Sequence, residues 1–286
     1  MSVSEAQLAP QTPTASLVRI APRKGWFALD LGEAWNYREL LYFFVWRDIK
    51  VRYKQTFIGA AWAVLQPFLM MLVFSLFLGK LAKFNSQGLP YPIFFYCSLL
   101  PWTYFATALQ NASSIVVDQQ QVITKVYFPR IVLPFSAVVS PLVDFVIAFA
   151  MLVVMMAYYR IVPTVAILWL PGFLLLAILT ALGAGLWLSA LNALYRDVRY
   201  VVPFLVQFWL FASPVAYSSL IVPARWRWLY GLNPMTGVIE GFRWSLTGHG
   251  QPPGGLLAAS AAAVLFVVFS GLVYYHAMEG TIADVV

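Results

Sequence analysis

Residues 57–79, FIGAAWAVLQPFLMMLVFSLFLG, contain no ionisable side chain. A helix of about 20 apolar residues crosses the hydrocarbon core of a bilayer, so this stretch is expected to span a membrane. Five further stretches read the same way: 91–110, 132–159, 165–194, 201–222 and 255–277, the third interrupted near its start by Pro134 and Pro141. Composition agrees, with 62% hydrophobic and only 10% charged residues, where a soluble domain carries about 25% charged. The expected class is an all-α integral membrane protein with six transmembrane helices, its six-span domain covering 57–286.

The net charge of +7 is explained by position, because cytoplasmic segments keep Lys and Arg in excess. With the N-terminus inside, Arg19, Arg23, Lys24, Arg38, Arg47, Lys50, Arg52, Lys54, Lys125, Arg130, Arg196 and Arg199 are cytoplasmic, and Lys80, Lys83, Arg160, Arg225, Arg227 and Arg243 are outside. Both termini are then cytoplasmic. Residues 1–33 have no apolar run and are expected to form a disordered cytoplasmic tail rather than a signal peptide. Within 34–56, Tyr42, Val45, Trp46, Ile49 and Tyr53 share one helical arc and Arg47, Lys50 and Lys54 another, the pattern of an amphipathic helix lying at the cytoplasmic interface.

Near the other face, Ser213-Pro214 is expected to break the fifth span, and Asn233-Pro234 is a good N-cap and first helical residue. A helix from there to about Leu246 reaches about 20 Å, too short to cross about 30 Å of hydrocarbon. A re-entrant or interfacial element on the outer face, before the last span, is therefore expected.

Much chemistry is missing. No GxxxxGK[ST] loop is present, so ATP hydrolysis belongs to another chain. The single Cys97 and the distant His249 and His276 suggest no disulfide framework and no metal site. No catalytic set of acids or nucleophile converges, and no cofactor is expected in this chain. Asp144 is the one acid well inside a span, where a hydrogen bond to a neighbouring helix is expected, with Gln66 and Gln207 as intramembrane polar partners. Ala181, Gly185, Ser189 and Ala193 form an i+4 stripe suited to close helix packing. Aromatics crowd the second and fifth spans and the outer element, among them Tyr91, Phe95, Trp102, Tyr104, Phe105, Trp209, Phe211 and Tyr217. One reading is an interfacial belt; the other is a path on which a sugar polymer stacks and slides.

A series of motifs carries a family resemblance. Residues 38–54, RELLYFFVWRDIKVRYK, are followed by Gly59-Ala-Ala-Trp-Ala, Gln66-Pro67, Lys125-Val-Tyr-Phe-Pro-Arg130 with Leu133-Pro134, Asn192-Ala-Leu-Tyr-Arg-Asp-Val-Arg199, Ser213-Pro214, and Asn233-Pro-Met-Thr-Gly-Val-Ile-Glu-Gly-Phe-Arg243. From residue 34 onward the chain resembles the ABC-2 type permeases that export polysaccharides such as O-antigen, capsule and teichoic acid. The resemblance implies a homodimer in the bacterial inner membrane, joined to two P-loop ATPase subunits that hold ATP and Mg, with a polyprenyl diphosphate-linked glycan as substrate and no nucleic acid partner. It implies ATPase coupling through Asp118, Lys125, Tyr127 and Arg130, and an outer gate containing Asn233, Pro234, Glu240 and Arg243. Arg47, Lys50, Arg52, Lys54, Arg196 and Arg199 suit the lipid diphosphate, since Arg and Lys are natural phosphate ligands. Other readings are an exporter of small lipids or drugs and a membrane-embedded glycan enzyme.

Overall fold

A computed structural model describes residues 35–54, 59, 61–249, 252 and 254–285. The expected tail at 1–33 and residues 57, 58 and 60 of the first expected span lie outside the described residues. The described chain is helical, with no strand. Its main helices are α1 (Arg38–Lys54), α2 (Ala61–Phe74, running on as a π-helical segment Ser75–Leu81), α3 (Tyr91–Asp118), α4 (Val132–Val139), α5 (Leu142–Tyr158), α6 (Leu170–Leu194), α7 (Val198–Ala212), α8 (Pro234–Thr247) and α9 (Gly254–Val285).

Among the described residues, four helical segments are long and apolar enough to cross a membrane: Ala61–Leu81, Val132–Tyr158, Val165–Leu194 and Gly254–Thr281. They correspond to the expected spans 57–79, 132–159, 165–194 and 255–277. The other two expected spans differ in ways that physics explains. The helix α3 is 28 residues long, or about 42 Å, but it is the hub of the bundle. It packs against α2, α4, α5, α6, α7 and α8, so its surroundings are protein and a uniformly lipophilic surface is not required of it. The helix α7 ends at Ala212 after 15 residues, about 22 Å, because Ser213 is extended and Pro214 follows. The expected break at Ser213-Pro214 is present, and the remainder of the expected span, to residue 222, is a turn and a short 3₁₀ segment.

Of the two prolines in the third span, only one interrupts the helix. Pro141 separates α4 from α5, whereas Pro134 sits in the first turn of α4, where the amide it lacks has no intrahelical partner to lose.

The expected small-residue stripe faces α3: Ala181, Gly185, Ser189 and Ala193 are all buried, and a Cβ on Gly185 would fall 2.7 Å from that of Ala112. A second close approach joins α6 to α9, where a Cβ on Gly271 would meet the Gly183 carbonyl oxygen at 2.4 Å. Asn192 Nδ2 donates to the Ser113 carbonyl at 2.8 Å, and Trp187 stacks on Tyr274 at 4.0 Å.

The helix α1, expected at the interface, turns a different side inward from the one its apolar arc suggests. Phe44 is its buried residue and meets Phe128 at 5.7 Å, while Tyr42 and Trp46 are exposed. The helix has two apolar sides, one against α4 and one facing outward, with Lys50 Nζ 4.3 Å from the Trp46 ring centroid.

Candidate functional site

Three groups of residues carry chemistry: a basic end, an aromatic face on α7, and a polar cluster at the far end.

At the basic end, the last residues of α3 are gripped from two sides. Asp118 accepts an ion pair from Arg199 at the start of α7, both side chains about half exposed. The adjacent Gln119 accepts from Arg47 of α1 at 3.0 Å, and Arg47 also pairs with Asp48 at 2.9 Å. Immediately beyond lies the turn Gln120–Ile123, then Lys125, Val126 and Tyr127, all three exposed. Arg130 is half-buried and donates to the Glu279 carbonyl of α9. Of the four expected coupling residues, Asp118, Lys125 and Tyr127 are therefore exposed, and Arg130 ties the segment to α9.

The six expected head-group cations divide. Lys50, Lys54 and Arg196 are exposed, and Arg47 and Arg199 are partly exposed with the partners above. Arg52 instead forms an ion pair with Asp144, which also accepts from the Tyr53 hydroxyl. This corrects the expected partners of Asp144: Gln66 and Gln207 are both exposed on α2 and α7. An acid at this depth is matched by the cationic end of α1, which offsets charge with charge where an amide could supply only a hydrogen bond. Burial first, and then the bond to Asp144, push the Tyr53 hydroxyl up, so it stays a donor throughout the physiological range.

The aromatic expectation also needs correction. Tyr91, Phe95, Trp102, Tyr104 and Phe105 are buried in the core of the chain itself. The Trp102, Phe105 and Trp209 rings cluster at 5.1 to 6.4 Å, and the Tyr104 hydroxyl donates to the Val138 carbonyl at 3.0 Å. Phe95 forms part of the wall of an apolar groove of about 420 Å³ between α2 and α7, with Phe211 and Tyr217. One open aromatic row lies on α7: Tyr200, Phe204, Phe208 and Phe211 are each more than half exposed. Tyr200 and Phe204 were absent from the expected set, although the spacing 200, 204, 208, 211 is the i+4, i+4, i+3 signature of one helical face.

The far end is a hydrogen-bonded block. Asn233 caps α8 as expected, its Oδ1 accepting from Met235 N at 3.1 Å, with Pro234 as first helical residue. The same Oδ1 accepts from Trp209 Nε1 at 3.0 Å, and its Nδ2 donates to Ser213 Oγ at 3.0 Å. Gly248, with φ of +66°, closes α8 in the left-handed conformation, which only glycine adopts without strain. Arg243 is 1% exposed. Its guanidinium reaches Glu240 at 3.1 Å, Ser98 at 3.1 Å and the Pro214 carbonyl at 2.7 Å, and lies 3.9 Å from the Phe94 ring centroid. Glu240 also accepts from Ser219 N at 2.7 Å. The Tyr217 and Tyr230 hydroxyls bond each other at 3.0 Å, and burial first, then that bond, push the Tyr230 hydroxyl up. Among the described residues, no three His, Cys, Asp or Glu side chains converge to hold a metal.

The family model described as ABC-2 type transporter matches residues 39–247. The O-antigen export system permease protein RfbA of Myxococcus xanthus is 30% identical over 88% of this chain and 97% of its own length. The Klebsiella pneumoniae protein of the same description is 28% identical over 69% of this chain and 76% of its own. The polysialic acid transport protein KpsM of Escherichia coli is 24% identical over 82% of this chain and 91% of its own.

Proposed function

Because the chain belongs to the ABC-2 type transporter family, we propose that it is the membrane-spanning subunit of an ATP-driven exporter for a polysaccharide carried on polyprenyl diphosphate, of the O-antigen type. The observation that carries this reading is the nearly end-to-end match to an O-antigen export permease, 97% of whose length this chain covers. The open aromatic row on α7 supports it: ring faces stack on sugars without the tight hydrogen bonds that would halt a sliding polymer.

The working unit is two copies of the chain with two ATPase subunits. The basic end is cytoplasmic, as are both termini, in the bacterial inner membrane. In the dimer α3 and α7 complete six spans, α8 is a re-entrant outer element, and the far-end block holding Asn233, Pro234, Glu240 and Arg243 gates the exit. The segment from Asp118 to Arg130 docks on the ATPase, and the exposed cations Lys50, Lys54 and Arg196 together with Arg47 and Arg199 meet the lipid diphosphate. The decisive experiment is reconstitution of the chain with its ATPase in vesicles containing lipid-linked glycan. Transfer of glycan to the other leaflet, dependent on ATP and abolished by a phosphate-loop lysine substitution in the ATPase, is expected. Export by this chain without an ATPase, or hydrolysis of the glycan by this chain, overturns the reading.

A further inference from the structure

Asp118 and Arg199 entered the sequence reading with separate roles, one for the ATPase and one for the substrate, and the structure pairs them. Three observations give the pair more than a surface role. Asp118 is the last residue of α3 and only two residues before the single helical turn Gln120–Ile123, whose two glutamines are exposed, so its partner restrains the segment that follows it. Arg199 stands in the first turn of α7, one residue before Tyr200, the first member of the exposed aromatic row. Finally, both side chains are about half exposed, so their attraction is screened and weak.

We propose that Asp118 is the resting counter-ion of Arg199, and that an arriving lipid diphosphate displaces it, so that head-group capture and release of the ATPase-docking segment are one exchange. The proposal rests on the export reading above and adds to it how an occupied site is signalled. A diphosphate offers more charge and more acceptor oxygens than one carboxylate, and Arg binds such groups in bidentate fashion, so replacing a weakly held aspartate is favourable. Once freed, the end of α3 is still held by Gln119 to Arg47 of α1, which limits the movement to the α7 side. The exchange thus links the substrate to the docking segment and to the aromatic face through a single guanidinium.

The test measures ATP hydrolysis by the complete permease and ATPase complex in vesicles, with polyprenyl diphosphate, polyprenol or inorganic pyrophosphate as probe. Wild type is expected to be stimulated by polyprenyl diphosphate and not by polyprenol; stimulation by pyrophosphate as strong as by the lipid would locate the effect on free phosphate and overturn the lipid exchange. Asp118→Asn is expected to raise hydrolysis without substrate by about two- to five-fold, the range open to an exposed ion pair, and to shrink the stimulation by the same factor. Arg199→Gln is expected to raise it similarly and to abolish the response. The swap Asp118→Arg with Arg199→Asp rebuilds the pair in reverse, so hydrolysis falls back from the level of the single variants while the diphosphate response stays lost. Unchanged substrate-free hydrolysis in both single variants, with normal stimulation, overturns the exchange and leaves the export reading intact. A wild-type complex that no polyprenyl diphosphate stimulates overturns the substrate class itself.

Discussion

The two ends of this protein hold their charges in opposite ways. At the far end Arg243 is buried, with Glu240, Ser98, the Pro214 carbonyl and the Phe94 ring around it. At the basic end Arg199 and Asp118 lie about half in water, and beyond Asp118 the residues Gln120, Gln121 and 124–127 are exposed. Buried charge that has lost its hydration depends on every partner it has, so the far end is a rigid unit. If it opens, it opens as a body, with the Pro214–Ser219 loop carried by α8. The basic end is joined by contacts that can be exchanged at little cost.

Removing one partner at each end is the direct way to break the contrast, and the largest loss belongs to Arg243. Arg243→Met strands the Glu240 carboxylate and the Pro214 carbonyl, at a cost of about 3–5 kcal/mol. A fall in the thermal midpoint of the purified protein, with much reduced yield, measures it. Adding Glu240→Gln removes the stranded charge and is expected to recover part of the loss; a double variant as unstable as the sum of the two singles would show that the pair is not coupled.

Asn233 comes next. Asn233→Ala removes the cap of α8 and three bonds to the end of α7, to Trp209, Ala212 and Ser213, about 2–3 kcal/mol in all. Asn233→Asp separates the parts. The carboxylate still accepts from Met235 and Trp209 but cannot donate to Ser213, so about half of the loss is expected to return in thermal unfolding.

How much of this was legible in the sequence depends on how local the information is. The cap of α8 could be read because Asn233, Pro234 and the break at Ser213-Pro214 act within a turn of themselves. The stripe of Ala181, Gly185, Ser189 and Ala193 could be read because small residues at i+4 have one structural use in an apolar helix. The role of α3 could not, since a Phe against protein and a Phe against lipid are the same letter, and only assembly shows that Phe95 and Phe105 face inward. The partners of Asp144 were missed for a related reason. By their local pattern Arg52 and Tyr53 belong to a peripheral helix, and nothing in that pattern says that the end of α1 reaches α5. The paired roles of Asp118 and Arg199 join residues 81 positions apart in the chain.

The Asp144 cluster tests the intermediate case, since its two charged side chains are 26% and 33% exposed. Asp144→Asn removes the carboxylate shared by Arg52 and Tyr53 at a site within reach of water, so a loss of about 1–2 kcal/mol is expected, between the two extremes. A loss as large as that of Arg243→Met would mean that the basic end is as rigid as the far end and would erase the distinction.

The smallest expected effect is the most informative. Asp118→Asn removes a half-exposed charge and keeps an amide of the same shape, so the thermal midpoint is expected to move by less than ~1 kcal/mol's worth. Added salt discriminates here, because exposed pairs are screened at ionic strengths that buried ones ignore. Raising salt from low to near-molar concentration is expected to bring wild type and Asp118→Asn together in stability while the Arg243→Met gap stays open. If the Asp118 gap instead persists in high salt, the carboxylate is shielded within the assembled complex, and the basic end is then a fixed joint whose movement must be sought in the turn Gln120–Ile123.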